Sequence, residues 1–227
     1  MKCRFRWYIF DSEVSCEDFQ GISSKMLAKP YAEARAAGFR LSTANSAQIQ
    51  GEFIEEIREE VEVRSPFGDV YKYSSIDFNL VKFKLLRQPL TLRLTDPPRR
   101  LRPLFIELKT ICGSAPIVPE VDLRKWLDRW LVNRSDAIVS DMALADMPVG
   151  RATRAAIRFE SPDDVRQDAR RFLSGKEPAI SSVVFEFGDG DSRGKCELRA
   201  NCSAVISAWR PSEIADDLWS FYLTILK

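Results

Sequence analysis

The spacing of apolar and polar residues changes period several times along this chain. From Lys2 to Phe10 the period is two: Cys3, Phe5, Trp7 and Ile9 fall on one side, and Lys2, Arg4, Arg6 and Tyr8 on the other, as in a half-buried strand. Ser15 to Gly38 predicts helix in two pieces. Pro30 opens the second, Ala32, Ala34, Ala36 and Ala37 favour it, and Gly38 suits its C-terminal cap. Asn45 or Ser46 then caps a further helix, with Ile49, Phe53, Ile54, Ile57 and Val61 on one stripe and Glu52, Glu55, Glu56, Glu59 and Glu60 opposite. From Val61 the period returns to two. Val61 to Arg64, Val70 to Tyr73, Phe78 to Leu86 and Leu90 to Leu94 are predicted strands, broken by turns at Ser65-Pro-Phe-Gly68 and Arg87-Gln-Pro89. The proline-rich segment 96–103 is predicted to be a loop.

Leu104 to Thr110 predicts a central strand, with Leu104, Ile106 and Leu108 on one face and Phe105, Glu107 and Lys109 on the other. Asp122 caps a helix whose stripe is Leu123, Trp126, Leu127, Trp130 and Leu131; aromatics of this size at helical spacing belong in a core. Ala137 to Val139 is a short strand. Ala145 to Gly150 is the candidate domain boundary. Beyond it come a strand at Ala155 to Phe159 and a helix opened by Ser161-Pro-Asp-Asp164, with Val165, Ala169, Phe172 and Leu173 inward and Gly175 at its end. Strands at Val183 to Phe187, Cys196 to Ala200 and Ala204 to Trp209 follow. Ser212 caps a last helix with Ile214, Leu218, Phe221, Tyr222 and Ile225 inward. The tail thus runs β-α-β-β-β-α. The expected fold is α+β, a mixed, mostly antiparallel sheet packed by amphipathic helices. It forms two small subdomains, residues 1–144 and 151–227, or one continuous domain.

Composition narrows the chemistry. The chain has 227 residues, 45% apolar and 30% charged, which suits a folded globular protein. A net charge of +1 sets up no global field for nucleic acid, membrane or an acidic substrate. Histidine is absent, which removes a Ser-His-Asp triad, a Cys-His pair and the commonest metal ligand. The five cysteines, Cys3, Cys16, Cys112, Cys196 and Cys202, show no CxxC spacing. Their odd number and an N-terminus interrupted by arginines predict reduced thiols in a cytoplasmic protein. No apolar run approaches the roughly 20 residues of a membrane helix. Neither a Walker loop nor a GxGxxG fingerprint is present.

Three constellations remain. Asp96 followed by Glu107-x-Lys109 on the expected strand resembles the pattern of PD-(D/E)xK nucleases, over about Ser46 to Val139. That resemblance implies that the acids hold Mg²⁺ or Mn²⁺, that Lys109 positions the attacking water, and that Glu59 or Glu60 is the upstream acid. Arg99, Arg100 and Arg102, in a proline-rigid loop, are candidate binding residues for a phosphate or an acidic partner. Asp189-Gly-Asp191 reads as a hairpin turn, since no bidentate glutamate follows as a calcium loop requires. The leading expectation is a non-enzymatic cytoplasmic protein that needs no cofactor and works by macromolecular binding, as an adaptor, inhibitor or assembly subunit. Its expected partner is another protein, with nucleic acid as a further possibility and no membrane. The alternative is the metal-dependent nuclease.

Overall fold

Among the described residues, ten strands and five helices follow one another along the chain, an α+β fold with antiparallel pairing. The computed structural model describes residues 1–10, 19–32, 35–132, 137–149, 153–173, 175–176, 178–188 and 193–225. Contacts divide the chain into two units, one of Met1–Trp7 with Val118–Lys227, the other of Tyr8–Ile117. The expected boundary at 145–150 does not coincide with this division. Residues 145–148 lie inside a strand, and both changes of unit occur elsewhere.

In the first unit the strand order is β1 (Lys2–Ile9, through Trp7), β10 (Ser203–Ser207), β9 (Gly194–Arg199), β8 (Ala179–Phe187), β6 (Ile138–Pro148) and β7 (Arg154–Glu160), paired antiparallel throughout. Helix α3 (Leu123–Val132) lies against β8 and α5 (Pro211–Ile225), and α5 also lies against β10. Alternation on the strands turns Phe5, Trp7, Phe185, Cys196, Leu198, Ala204 and Ile206 into the core. The helices meet them with aromatics. Trp7 stacks on Trp219 at 5.9 Å, and Trp126 stacks on Trp130 at 5.0 Å and sits 5.6 Å from Phe185. The expected cap holds: Asp122 Oδ1 accepts from the backbone N–H groups of Arg124 and Lys125, at 3.0 and 3.2 Å. Helix α4 (Arg166–Leu173) buries Ala169 and Leu173, behind Val165, but leaves Phe172 exposed. Its first N–H is taken by Asp164 Oδ1 at 2.9 Å, while Ser161 Oγ accepts from Asp163 N–H one turn earlier. The succession β7-α4-β8-β9-β10-α5 is the tail pattern read from the sequence.

In the second unit the order is β2 (Ala37–Ala44), β3 (Gln48–Arg64), β4 (Val70–Leu86) and β5 (Thr91–Thr95). Helices α1 (Phe19–Leu27) and α2 (Arg102–Cys112) complete it. Phe39, Phe53 and Phe83 form its aromatic centre, with ring centroids 5.1 and 5.9 Å from Phe39. Three expectations fail in this unit. The helix expected after Ser46 is strand β3. Its core residues alternate as Ile49, Gly51, Phe53 and Glu55, and a Cβ on Gly51 would lie 2.4 Å from Arg40 O, so the glycine permits the close approach of β2. Pairing along the full length of β4 overrides the helix propensity of its glutamates. The second piece of the helix expected through Ala37 gives way to β2 from the same residue.

The expected strand Leu104–Thr110 is helix α2 instead. Leu104, Leu108, Ile111 and Cys112 bury one stripe of period 3.6, whereas Ile106, placed inward by a period of two, is 55% exposed. Pro103 in the first turn and Gly113 at φ +84°, whose N–H donates to Lys109 O at 2.9 Å, set the two ends. The stripe of α3 packs on Phe185 of β8.

Cys3, Cys112, Cys196 and Cys202 are buried thiols; Cys16 lies outside the described residues. Burial pushes Cys112 and Cys202 up to about 12 from an ordinary 9.0, Lys25 offsetting part of the effect at Cys112. Burial also raises Cys196 and carries Tyr222 well above 10.0.

Two outcomes are expected. Trp126→Ala should cost roughly 3–5 kcal/mol in urea unfolding. Trp126→Phe should cost less, because it leaves a smaller cavity and breaks no hydrogen bond seen among the described residues. At about pH 8, Ellman's reagent should leave Cys112, Cys196 and Cys202 unmodified until the protein is denatured. A raised folded pKa contributes stability that is complete below the unfolded value and is lost as pH climbs through the folded one. The melting temperature should therefore fall as pH rises from about 9 towards about 12.

Candidate functional site

Strands β3 and β4 outrun the sheet that holds them. Their register runs unbroken from Gln48↔Leu86 to Arg64↔Val70. Strand β2 flanks β3 only as far as Glu55, and β5 flanks β4 only from Lys82. Glu56 N–H still donates to Ala36 O at 2.7 Å; from Ile57↔Asp77 to Arg64↔Val70 the two strands pair with each other alone among the described residues. Residues 56–64 span about 30 Å at the ordinary strand rise, so the second unit carries a two-stranded arm.

A polar cluster marks its root. The inward face of β3 reads Ile49, Gly51, Phe53 and then Glu55; that of β4, read from its far end, is Leu85, Phe83, Val81 and then Asn79. Glu55 and Asn79 are 7% and 8% exposed. Asn79 Nδ2 donates to Glu55 Oε2 at 3.1 Å and to the carbonyl of Arg100 at 2.9 Å, and the Arg100 guanidinium lies 2.8 Å from Glu55 Oε1. Each buried polar group thus has a partner where the apolar cover stops.

Beyond that clasp both faces of the arm are largely exposed, with Tyr31 meeting Phe78 edge-on at 6.4 Å beside the root. Across from each other on the face that continues the core are Val61 and Tyr73, then Val63 and Tyr71. Such aromatic and β-branched cross-strand pairs stabilise a ribbon. The other face alternates ion pairs with apolar side chains. Arg58 pairs with Glu56, and Arg64 and Lys72 pair with Glu62, while Val70, Ile76 and Phe78 run along β4. At the tip, Ser65 Oγ accepts from Phe67 and Asp69 N–H at 3.2 Å each, and Gly68 takes φ +95°. That turn holds Phe67 outward, 93% exposed. Of the sixteen large apolar side chains exposed among the described residues, eight lie between Val63 and Leu80. This concentration is what singles out the arm as an interaction surface.

The residues proposed from sequence lie elsewhere. Glu107 and Lys109 stand two positions apart on a helix, about 200° around its axis, and so do not share the face that a strand would give them. Glu107 pairs with Lys29 Nζ at 2.6 Å. Asp96 sits in the bend after β5 at φ +46°. Glu59 and Glu60 fall on opposite faces of the arm. Among the described residues no three Asp, Glu or Cys side chains are grouped to hold a metal. The strand geometry on which the nuclease pattern depended is therefore replaced by a helix.

The arginines fare differently. Arg100 closes the clasp at the root of the arm. Arg99, Arg100 and Arg102 join Lys109 around a shallow cleft of 420 Å³ floored by Phe105, Ile106 and Ala115. Asp189-Gly-Asp191 lies outside the described residues. Trp126 and Trp130 are core. The arm itself was missed, although its pieces were in view: two alternating strands, 61–64 and 70–73, around a Ser-Pro-Phe-Gly turn, with tyrosines and valines outnumbering the charges on one face.

Because an isolated two-stranded hairpin is only marginally stable in water, amide exchange should break sharply at the clasp. Core-side amides of β3, at residues 49–55, should be protected by orders of magnitude more than those at 57–63. Asn79→Ala removes two hydrogen bonds and should cost about 1–3 kcal/mol in urea unfolding.

In comparisons with known proteins, no protein-family model and no curated protein matches this chain.

Proposed function

We propose that this protein works by binding another protein, and that the arm is what it offers. The observation that carries this reading is the concentration of eight exposed apolar side chains between Val63 and Leu80, most of them on strand segments that make ladder pairs only with each other among the described residues. Interfaces draw their energy from aromatic anchors that become desolvated at the centre of a patch. Tyr71, Tyr73 and Phe67 supply such anchors, and Val61 and Val63 surround the tyrosines. A partner that covers this face supplies the third layer that a bare hairpin lacks. The near-neutral charge of the chain favours a protein partner over nucleic acid, whose capture rests on phosphate contacts. The buried thiols support a reducing, cytoplasmic setting. An adaptor, an inhibitor or an assembly subunit would each use such a surface.

The test is affinity capture from cells with the wild type and with a Tyr71→Glu/Tyr73→Glu double variant, followed by affinity measurement on the protein so identified. These tyrosines are exposed, so the circular dichroism spectrum and melting temperature should hold while affinity falls at least about 30-fold, the equivalent of about 2 kcal/mol. A partner held equally well by the folded double variant would refute the arm as the binding surface.

A further inference from the structure

We infer that the free edge of β4, residues 70–78, pairs antiparallel with the same edge of a second copy of this chain. This goes beyond the partner reading above, which uses a face of the arm and not its edge. The parity of the ribbon shows which backbone groups are open. At the tip Ser65 N–H donates to Asp69 O at 2.8 Å, and at the root Arg87 N–H donates to Ala47 O at 3.1 Å. Both belong to the one unbroken register, so the hydrogen-bonded pairs of the ribbon are those of odd-numbered residues. The N–H and C=O groups of Val70, Lys72, Ser74, Ile76 and Phe78 therefore point away from β3. Strand β5 meets that edge only from Lys82 onward.

Charge separates the two edges of the arm. The β3 edge carries Arg58, Glu59, Glu60, Glu62 and Arg64. Paired with itself about Val61, it would set Arg58 against Arg64 and Glu60 against Glu62, and paired about Glu60 it would still set that carboxylate against its own copy, so like charges meet in both registers. The β4 edge has only Lys72 and Asp77 between Val70 and Leu80, and no proline. Paired with itself about Ser74, it sets Val70 against Phe78, Lys72 against Ile76, and Tyr71 against Asp77. No like charges meet. The Lys72 stem covers Ile76, and the Tyr71 hydroxyl reaches the carboxylate of the other copy. In the single chain Asp77 Oδ1 accepts the outward N–H of Phe78 at 2.7 Å. On pairing, that N–H passes to the Val70 carbonyl opposite and frees the carboxylate for Tyr71. The two arms become a four-stranded ribbon, which passes the three-strand threshold for stability.

Sedimentation across a concentration series tests this directly. The wild type should show a monomer–dimer equilibrium. Ser74→Pro deletes an outward donor and no bond to β3, a position that proline tolerates on an edge strand, and should weaken the dimer at least tenfold with the circular dichroism unchanged. Glu60→Pro, its counterpart on the β3 edge, should leave the dimer intact. If Ser74→Pro does not fold, Ser74→Cys decides: oxidation should cross-link two copies through position 74, while Glu60→Cys should give no such product. A wild type that stays monomeric throughout, a dimer unmoved by Ser74→Pro, or a Ser74→Cys that fails to cross-link would each overturn the inference. The outcome is separable from the partner reading, because Ser74→Pro leaves the tyrosine face intact and should still bind a partner that the Tyr71→Glu/Tyr73→Glu variant loses.

Discussion

One unbroken register joins β3 and β4 from inside the sheet to the tip of the arm, and the second unit depends on it. Because side chains alternate with a period of two, a slip of one residue would turn Ile49, Phe53, Val81 and Leu85 out of the core at the same moment as it inverted the arm. The core thus sets which side chains the arm presents. Ile49, Phe53, Phe83 and Leu85 fix the parity, and Val61, Val63, Tyr71 and Tyr73 inherit it about 25–45 Å further along the strands.

The change from core to arm is a change of side-chain chemistry and not of backbone. Glu55 and Asn79 occupy inward positions that would otherwise hold apolar residues, and Arg100 reaches them from the loop after β5. An apolar pair there would extend the core face without interruption. A polar pair ends it, at the cost of needing each donor and acceptor matched, which the Arg100 carbonyl and guanidinium accomplish. Arg100 therefore acts at the root of the arm as well as on the rim of a basic cleft, while Arg99 and Arg102 remain on the open side.

The arm has faces and edges of different character. Its core-side face is apolar towards the tip, its other face mixes ion pairs with apolar side chains, the β3 edge is guarded by charge, and the β4 edge is nearly uncharged. Natural sheets blunt exposed edges with charge or proline, so the contrast between the two edges of one ribbon carries information that neither strand carries alone. Among the described residues of the first unit, Trp7, Trp126, Trp219 and Tyr222 are buried against one another, and the exposed aromatics Phe172 and Trp209 lie on separate elements.

Much of this was legible in the sequence. Where a local signal was unambiguous, the structure agrees: the first strand, although Tyr8 turns inward with the core residues, the Asp122 cap and tryptophan stripe of α3, and the order of elements in the β-α-β-β-β-α tail, though not its caps or Phe172. Where a short apolar run fitted both periods, only packing decided. Leu104 to Thr110 suits a strand by its alternation and a helix by Leu104, Leu108 and Ile111, and the proline and glycine at its ends favour the helix. Gln48 to Arg64 suits a helix by its glutamates and a strand by its partner β4, and pairing over the full length of that partner favours the strand. The nuclease pattern followed the first of these ambiguities and lost its shared face with it. Composition and period thus determined an α+β chain, its antiparallel strands and its tail. Where β2 and β5 stop along β3 and β4 is not written in β3 or β4 at all, because an unpaired edge is defined by which neighbours are missing, and only the tertiary structure decides that.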